Sequence, residues 1–388
     1  MSQNRLLAIP LVALMVGFGV GVYFLWGALA HKTGTLGGDR QAPQSAQFTV
    51  PGTVIVAQDG NLYQLKGTSF NIIAKGNAPQ GSGEGWQQPT VTPDHQHIIA
   101  VKRGYNFSDL YELSMSGQVQ KQLTNNQSTQ VPLNQWAFFP EVSHDGSTVF
   151  FTYDQKEEAG NYQIDFSIYS LPLAGGRASA WTNPYGYGCA GDSSQGPFGP
   201  ASDCGSGGSL QAIPLASGGI VFSYGYVNQD TQQTVDQLAY LSGPMQTPTL
   251  LTPNSESCYS PAVSADGTRI AFICSPAAGG AITSLEVASL SGGNLGAPQV
   301  VATGSMIASP TWSPNGQSLL YFNATGAHQL FEMEVLDVPP ATPPAPTPAP
   351  KHGTKAKTTP KPTPVPTPQP LTSNNDFEAT STAVWFNS

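Results

Sequence analysis

Fifteen residues, Ser260 to Cys274, limit what this chain can fold into more than any other stretch, because the chain repeats them. A short β-prone run leads to Asp266-Gly267, and a second run, Arg269 to Cys274, follows. Asp-Gly tolerates the positive φ of a tight turn between twisted strands, so the stretch spells a hairpin. The same order (Pro, any residue, an apolar residue, Ser/Thr/Ala, then a turn pair) starts at Pro89, Pro140, Pro261 and Pro310, with a shortened copy at Pro214. A recurrence of about fifty residues in an all-β sequence is the mark of a propeller blade.

Each hairpin is followed by two more strand-like runs: Asp109 to Met115 with Val119 to Thr124, Ser167 to Leu173 with Ala178 to Thr182, Gln237 to Ser242 with Thr247 to Thr252, and Thr283 to Leu290 with Gln299 to Ala302. Four strands per unit is what a blade needs. The last unit shows three (Pro310 to Ser313, Leu319 to Asn323, Gln329 to Leu336). A less regular first unit, with runs at Phe48 to Val50, Thr53 to Ala57, Asn61 to Leu65 and Ser69 to Ala74, brings the expected number of blades to six, with five or seven as the alternatives. Either an N-terminal strand or the extreme C-terminus must close the ring.

At these residues the chain resembles a known family. A hairpin followed by Asp109-Leu-Tyr-Glu-Leu113 and Lys121-Gln-Leu-Thr-Asn-Asn126 is similar to the repeat of TolB-like (WD-repeat-like) β-propellers. The resemblance spans Phe48 to Val338 and implies the fold. It implies little about function, because the matching residues are turn and core positions that binding proteins, peptidase accessory domains and scaffolds share.

The expected organisation is therefore an n-region (1–5), a transmembrane signal anchor (6–30), a linker (31–47), the propeller (48–338), a Pro/Thr-rich linker (339–370) and a tail (371–388). Leu6 to Ala30 is free of charge; as a helix of about 37 Å it is long enough to cross a bilayer. A cleaved signal peptide ending at Ala28-Leu29-Ala30 is the alternative. Both place the propeller outside the cytoplasm. Thr33 to Gln47 reads as a flexible stalk. Pro339 to Pro370 carries 13 prolines and four lysines and reads as an extended spacer, or as a motif for a proline-binding partner. Thr382 to Phe386 either docks on the incomplete last blade, binds another protein, or hangs free.

Between His31 and Val338 there are 10 Lys/Arg against 22 Asp/Glu, a net −12. Such a surface repels phosphate backbones and argues against a nucleic-acid partner. The four cysteines fall as two close pairs, Cys189 with Cys204 and Cys258 with Cys274. Cys258 and Cys274 flank the opening hairpin at near-opposite positions, which suits a disulfide. Cys189 and Cys204 would staple a Gly/Ser-rich loop. Four separate buried thiols are the alternative.

A four-strand zigzag sends the first-to-second and third-to-fourth connections to one face and the remaining connections to the other. The first, the turn face, receives tight turns such as Asp145-Gly146, Asp266-Gly267 and Asn315-Gly316. The second, the loop face, receives the long loops, and binding residues concentrate in such loops. Among their Gln, Asn, Ser and Gly residues stand Trp86, Tyr105, Phe107, Trp136, Tyr185, Tyr187, Phe198 and Tyr226. Aromatic plus amide is a composition of protein- and glycan-binding surfaces.

Catalytic patterns are scarce. Cys189-Ala-Gly-Asp-Ser-Ser-Gln-Gly-Pro197 shares letters with the nucleophile segment of chymotrypsin-like proteases. It lacks the Gly-Gly backbone of their oxyanion hole. The six histidines show no metal spacing, and neither a calcium loop nor a phosphate-cradling loop occurs, so no cofactor is expected. The expected function is a non-catalytic, membrane-anchored propeller that binds a protein or a cell-envelope glycan. The alternative is a lyase or hydrolase working in the central channel, where carboxylates such as Asp154, Glu157 and Asp230 would have to converge.

Overall fold

A computed structural model describes residues 42–76, 83–130, 133–154, 166–182, 208–228, 233–276, 282–326, 330–339 and 366–387. Among these residues six antiparallel sheets stand around an axis. Blade 1 contains β1 (Thr53–Gln58), β2 (Asn61–Lys66) and β3 (Ser69–Ala74); blade 2 contains β4 (Gly85–Val91), β5 (His97–Arg103), β6 (Ser108–Ser114) and β7 (Val119–Gln122). Blade 3 contains β8 (Trp136–Val142), β9 (Thr148–Asp154), β10 (Phe166–Pro172) and β11 (Ser179–Ala180); blade 4 contains β12 (Gly208–Pro214), β13 (Ile220–Asn228), β14 (Gln233–Leu241) and β15 (Thr249–Leu250). Blade 5 contains β16 (Glu256–Val263), β17 (Arg269–Pro276), β18 (Thr283–Ser291), β19 (Asn294–Leu295) and β20 (Gln299–Gly304). Blade 6 begins with β21 (Ile307–Trp312), β22 (Ser318–Thr325) and β23 (Leu330–Asp337).

Two strands come from beyond the Pro-rich segment. β24 (Gln369–Pro370) pairs with β23 and is the outer strand of blade 6. β25 (Val384–Phe386) pairs with β1 and is the inner strand of blade 1. The inner strands then neighbour one another in the order β25, β4, β8, β12, β16, β21 and back to β25. The C-terminus closes the ring, on the first blade and not on the last.

The second strand of each blade lies between two neighbouring blades and reads as an unbroken apolar run, as strands covered on both faces do. Ile270, Ala271, Phe272 and Ile273 of β17, and Leu319, Leu320 and Phe322 of β22, are fully buried. Between blades 2 and 3, for example, Ile99, Val101 and Leu110 meet Ala137, Val149 and Phe151. Burying one such side chain is worth about 1.5–3 kcal/mol.

The repeated Ser/Thr-x-Asp/Asn motif is an Asx turn. Ser264 Oγ donates to Asp266 Oδ1 (2.6 Å), and the same oxygen accepts from the Thr268 N–H (3.0 Å). Ser143 with Asp145 and Ser313 with Asn315 repeat the arrangement. Cys258 faces Cys274 and the two are joined by a disulfide.

Several expectations change. Phe48 to Val50 forms no strand; the fourth strand of blade 1 is β25. The propeller runs past Val338, because β24 and β25 belong to it. The Pro-rich segment thus connects the third and fourth strands of blade 6, and both its ends emerge on the turn face, which therefore does not carry tight turns alone. Residues 42–47, expected in the stalk, are tied down: Ala46 is buried, its N–H donates to Thr68 O (2.9 Å), and that of Gln47 donates to Leu371 O (2.8 Å). Residues 1–41 and 340–365, and with them the expected anchor and most of the Pro-rich segment, lie outside the described residues, as do Cys189 and Cys204.

Candidate functional site

Inner strands present one backbone edge to the channel, and here that edge is broken at the same height in five blades. β4, β8, β12, β16 and β21 each carry a bulge against their partner strand. The bulged residue is left-handed in every case: Gln88 (φ 49°), Phe139 (49°), Gln211 (58°), Ser260 (52°) and Ser309 (47°). Non-glycine residues hold such a conformation at a cost of about 1–3 kcal/mol, and only where surrounding structure enforces it. Four of the five precede the proline of the repeat. In blade 4 the position after Gln211 is Ala212, so Pro214 is offset from the other prolines.

Residues 378–382 run into this ring from the loop face. Ser309 Oγ of blade 6 donates to Ala379 O (2.6 Å), and Gln88 of blade 2 donates through Nε2 to Thr380 O (3.2 Å) and through its backbone N–H to Ser381 Oγ (2.6 Å). Gln211, from blade 4 on the opposite side, donates to Thr382 Oγ1 (3.1 Å). A segment that bonds to blades 2, 4 and 6 at once lies across the axis. Glu378, at its start, accepts from the Gly60 N–H (2.8 Å). Burial pushes its carboxyl up to about 7, with Asp59 and Asp376 adding to the rise and Arg103 opposing it.

The loop-face aromatics divide. Trp86 is 4% exposed and packs edge-on against Tyr111 (5.5 Å) under Lys102, so it is a core residue and not a surface anchor. Its place at the start of β4 turns its ring into the interface of blades 1 and 2. Tyr105 is 85% exposed. Phe107 is half-buried and covers Gly104. Tyr226 stacks on Tyr224 (5.9 Å) and donates its hydroxyl to Gln237 Oε1 (2.6 Å). Tyr185, Tyr187 and Phe198 lie outside the described residues, as do Glu157 and Asp230.

Trp136 is half-buried and stacked on Phe138 (5.7 Å, 13°), which meets Phe166 edge-on (6.1 Å). The Arg103 guanidinium lies over the Trp136 ring at 5.7 Å. Trp136, Asp154 and Phe166 stand side by side at the loop-face end of blade 3. Arg103 comes from the corresponding end of β5, so the patch bridges blades 2 and 3.

No protein-family profile matches the chain, and no curated protein matches it either. Among solved structures, TolB from Acinetobacter baumannii superposes with a TM-score of 0.51 at 17% identity, over 74% of this chain and 60% of that protein. This chain has the fold of a TolB-like β-propeller. It spans less than two thirds of the length of the Acinetobacter protein. A TolB from Agrobacterium tumefaciens (15% identity, 68% of this chain, 91% of that one, TM-score 0.45) and an oligogalacturonate lyase from Vibrio parahaemolyticus (10%, 76%, 75%, 0.44) are also similar in structure.

In this TolB-like propeller the loop face offers two chemistries. The patch at blades 2 and 3 supplies flat apolar rings beside a cation. The channel mouth supplies amide and hydroxyl groups already bonded to the chain itself. Phe138, the third residue of β8, and Phe166, the first of β10, complete the patch; the sequence does not single them out, because only the pairing of these strands brings them beside Trp136. The arrangement of Asp154, opposite Trp136 and Phe166, adds a carboxylate at the patch margin.

Proposed function

We propose that the chain is an extracytoplasmic, membrane-anchored propeller that binds a protein partner through its loop face, without turnover. One observation carries the reading: a stacked, half-buried Trp136–Phe138 pair flanked by Arg103, with Tyr105, two residues further along the chain from Arg103, 85% exposed. Aromatic rings and Arg are the residues enriched where protein interfaces carry their energy. The Cys258–Cys274 disulfide suits an oxidising compartment, and the uncharged run from Leu6 to Ala30 suits an anchor. A cell-envelope glycan is the second ligand class that aromatic-plus-amide chemistry accepts. Filling of the channel mouth by residues 378–382 weighs against a lyase or hydrolase acting there, since a substrate would have to displace them.

The test is capture of partners from an envelope extract by the wild type and by a Trp136→Ala/Arg103→Ala double variant. Loss of a specific protein with the variant is the expected result. Identical partner lists would remove the assignment, and loss of a polysaccharide instead would move it to the glycan class.

A further inference from the structure

The path of residues 371–386 changes character along its length. Leu371 and Phe377 are buried at one end, with the Phe377 ring 5.8 Å from Phe70 and 5.9 Å from Phe322. Ala383 and Trp385 are buried at the other, where Trp385 Nε1 donates to Pro51 O (2.6 Å). Between these apolar anchors, Glu378 to Thr382 is held by polar contacts: Ser309, Gln88 and Gln211 bind it from three blades, and Gly60 binds Glu378. Thr380 is exposed. Water replaces such hydrogen bonds at small net cost, whereas it cannot replace the packing of Phe377 or Trp385.

We propose that residues 378–382 form a bar, fixed at both ends, that closes the loop-face mouth of the channel and swings open as the carboxyl group at its start, Glu378, becomes charged. The inference goes beyond the binding reading and does not depend on it, because the bar is part of the chain and opens without a ligand.

The charges around the hinge supply the direction. Glu378 faces Asp59 from the β1–β2 turn, Arg103 from the end of β5, and Asp376 from its own segment. Asp376 accepts from the Phe331 N–H (3.4 Å) and faces Asp59 and Glu332. Three of the four neighbours are carboxylates, so ionising either group places negative charge among negative charge in a poorly hydrated site. Burial, the leading cause, and the neighbouring carboxylates raise Glu378 to about 7, against Arg103, and Asp376 to about 6.

The open bar carries Glu378 into water, where it titrates in the ordinary carboxylate range, while Asp376 stays on the fixed side of Phe377. Closure therefore has its full stability below about pH 4, and that stability is lost as pH rises through about 7. A shift of one or more units corresponds to at least about a tenfold change in the ratio of closed to open.

Hydrogen–deuterium exchange of the full chain, corrected for the intrinsic pH dependence of exchange, tests this. Peptides containing Gly60, Gln88 and Ser381, whose N–H groups are engaged by the bar, should lose protection at least about tenfold between about pH 5 and about pH 8. The core strands β5 and β22 should keep theirs. Glu378→Gln retains an acceptor for Gly60 and cannot ionise, so it should hold the bar closed at the higher pH. Should that variant fold poorly, Asp376→Asn removes one negative neighbour of Glu378 and should reduce the loss of protection, and the wild-type series decides on its own. Protection that stays constant with pH, that falls together with β5 and β22, or that follows the wild-type profile in the variant overturns the proposal.

Discussion

Glu141 and Thr90 occupy the same place in the repeat, two residues past the bulged position, on the inner strands of blades 3 and 2. Thr90 Oγ1 donates to Glu141 Oε2 (3.1 Å), while burial pushes the carboxyl up to about 7. The folded protein thus keeps a proton that the unfolded chain releases near 4.5. Stability from this group is complete below that value and is lost as pH rises through about 7. Glu141→Gln removes the charge and keeps a partner for Thr90, so the variant should match the wild type near pH 5 and exceed it by about 2 kcal/mol at pH 8. Denaturant unfolding at the two pH values measures the gap, and an absent gap contradicts this account of Glu141. At this scale the sequence was readable where a side chain makes its own structure. Ser264, Asp266 and Gly267 announce their turn because the Asp carboxylate and the Ser hydroxyl build it. The left-handed Gln88, Phe139 and Ser309 were not readable, because the bulge is imposed by neighbouring strands and leaves no characteristic residue type. Trp86 differs from its expected place for a related reason: its Gly/Gln-rich surroundings read as loop, whereas it is the second residue of a strand.

The hairpin of β16 and β17 shows how an element can be right in outcome and different in detail. A turn centred on Asp266 would pair Ser264 with Thr268, yet the Ser264 N–H donates to Arg269 O, one residue further on. The bulge between Tyr259 and Ala262 takes that residue back, and Cys258 faces Cys274 as the simpler register implied. The disulfide closes a sequence separation of 16. Constraining the unfolded chain over a loop of that size is worth about 3 kcal/mol. Reduction, or a Cys258→Ser/Cys274→Ser double variant, should lower the unfolding free energy by about that amount without changing the circular dichroism of the folded protein. An unchanged denaturation midpoint under reducing conditions would show that the bond adds no stability. The two C-terminal strands were legible in principle. Leu371-Thr372-Ser373-Asn374-Asn375 repeats the pattern of Leu123-Thr124-Asn125-Asn126. In both, the Thr hydroxyl accepts from a third-strand N–H, Met333 in one and Leu110 in the other. The proline run that separates β24 from its blade hid the match, since polyproline composition reads as the end of a domain.

At the scale of the whole molecule the ring holds because its last strand completes its first sheet, so both ends of the propeller depend on one segment. Leu371, Phe377, Ala383 and Trp385 join Val54, Tyr63, Leu320 and Phe331 in a single core between blades 6 and 1. Two alterations separate what this segment does from what the Pro-rich insertion does. Ending the chain after Asp337 removes β24, β25 and four large buried side chains, Leu371, Phe377, Trp385 and Phe386, each worth about 1.5–3 kcal/mol. That loss is comparable to the whole net stability of a domain, about 5–15 kcal/mol, and the truncated chain should show no cooperative unfolding transition. Replacing residues 340–365 with a four-residue Gly-containing turn has the opposite expectation. β23 and β24 are already antiparallel partners, Val335 opposite Gln369 and Glu334 opposite Pro370, so a short connection suffices. Shortening the connection from about thirty residues to about nine reduces the entropy lost on folding, by about 1 kcal/mol. Thermal unfolding of the shortened chain should therefore occur at or above the wild-type temperature. If the shortened protein instead melted like the truncated one, the insertion itself would be holding the ring shut, and closure by residues 369–386 would be an incomplete explanation of the fold.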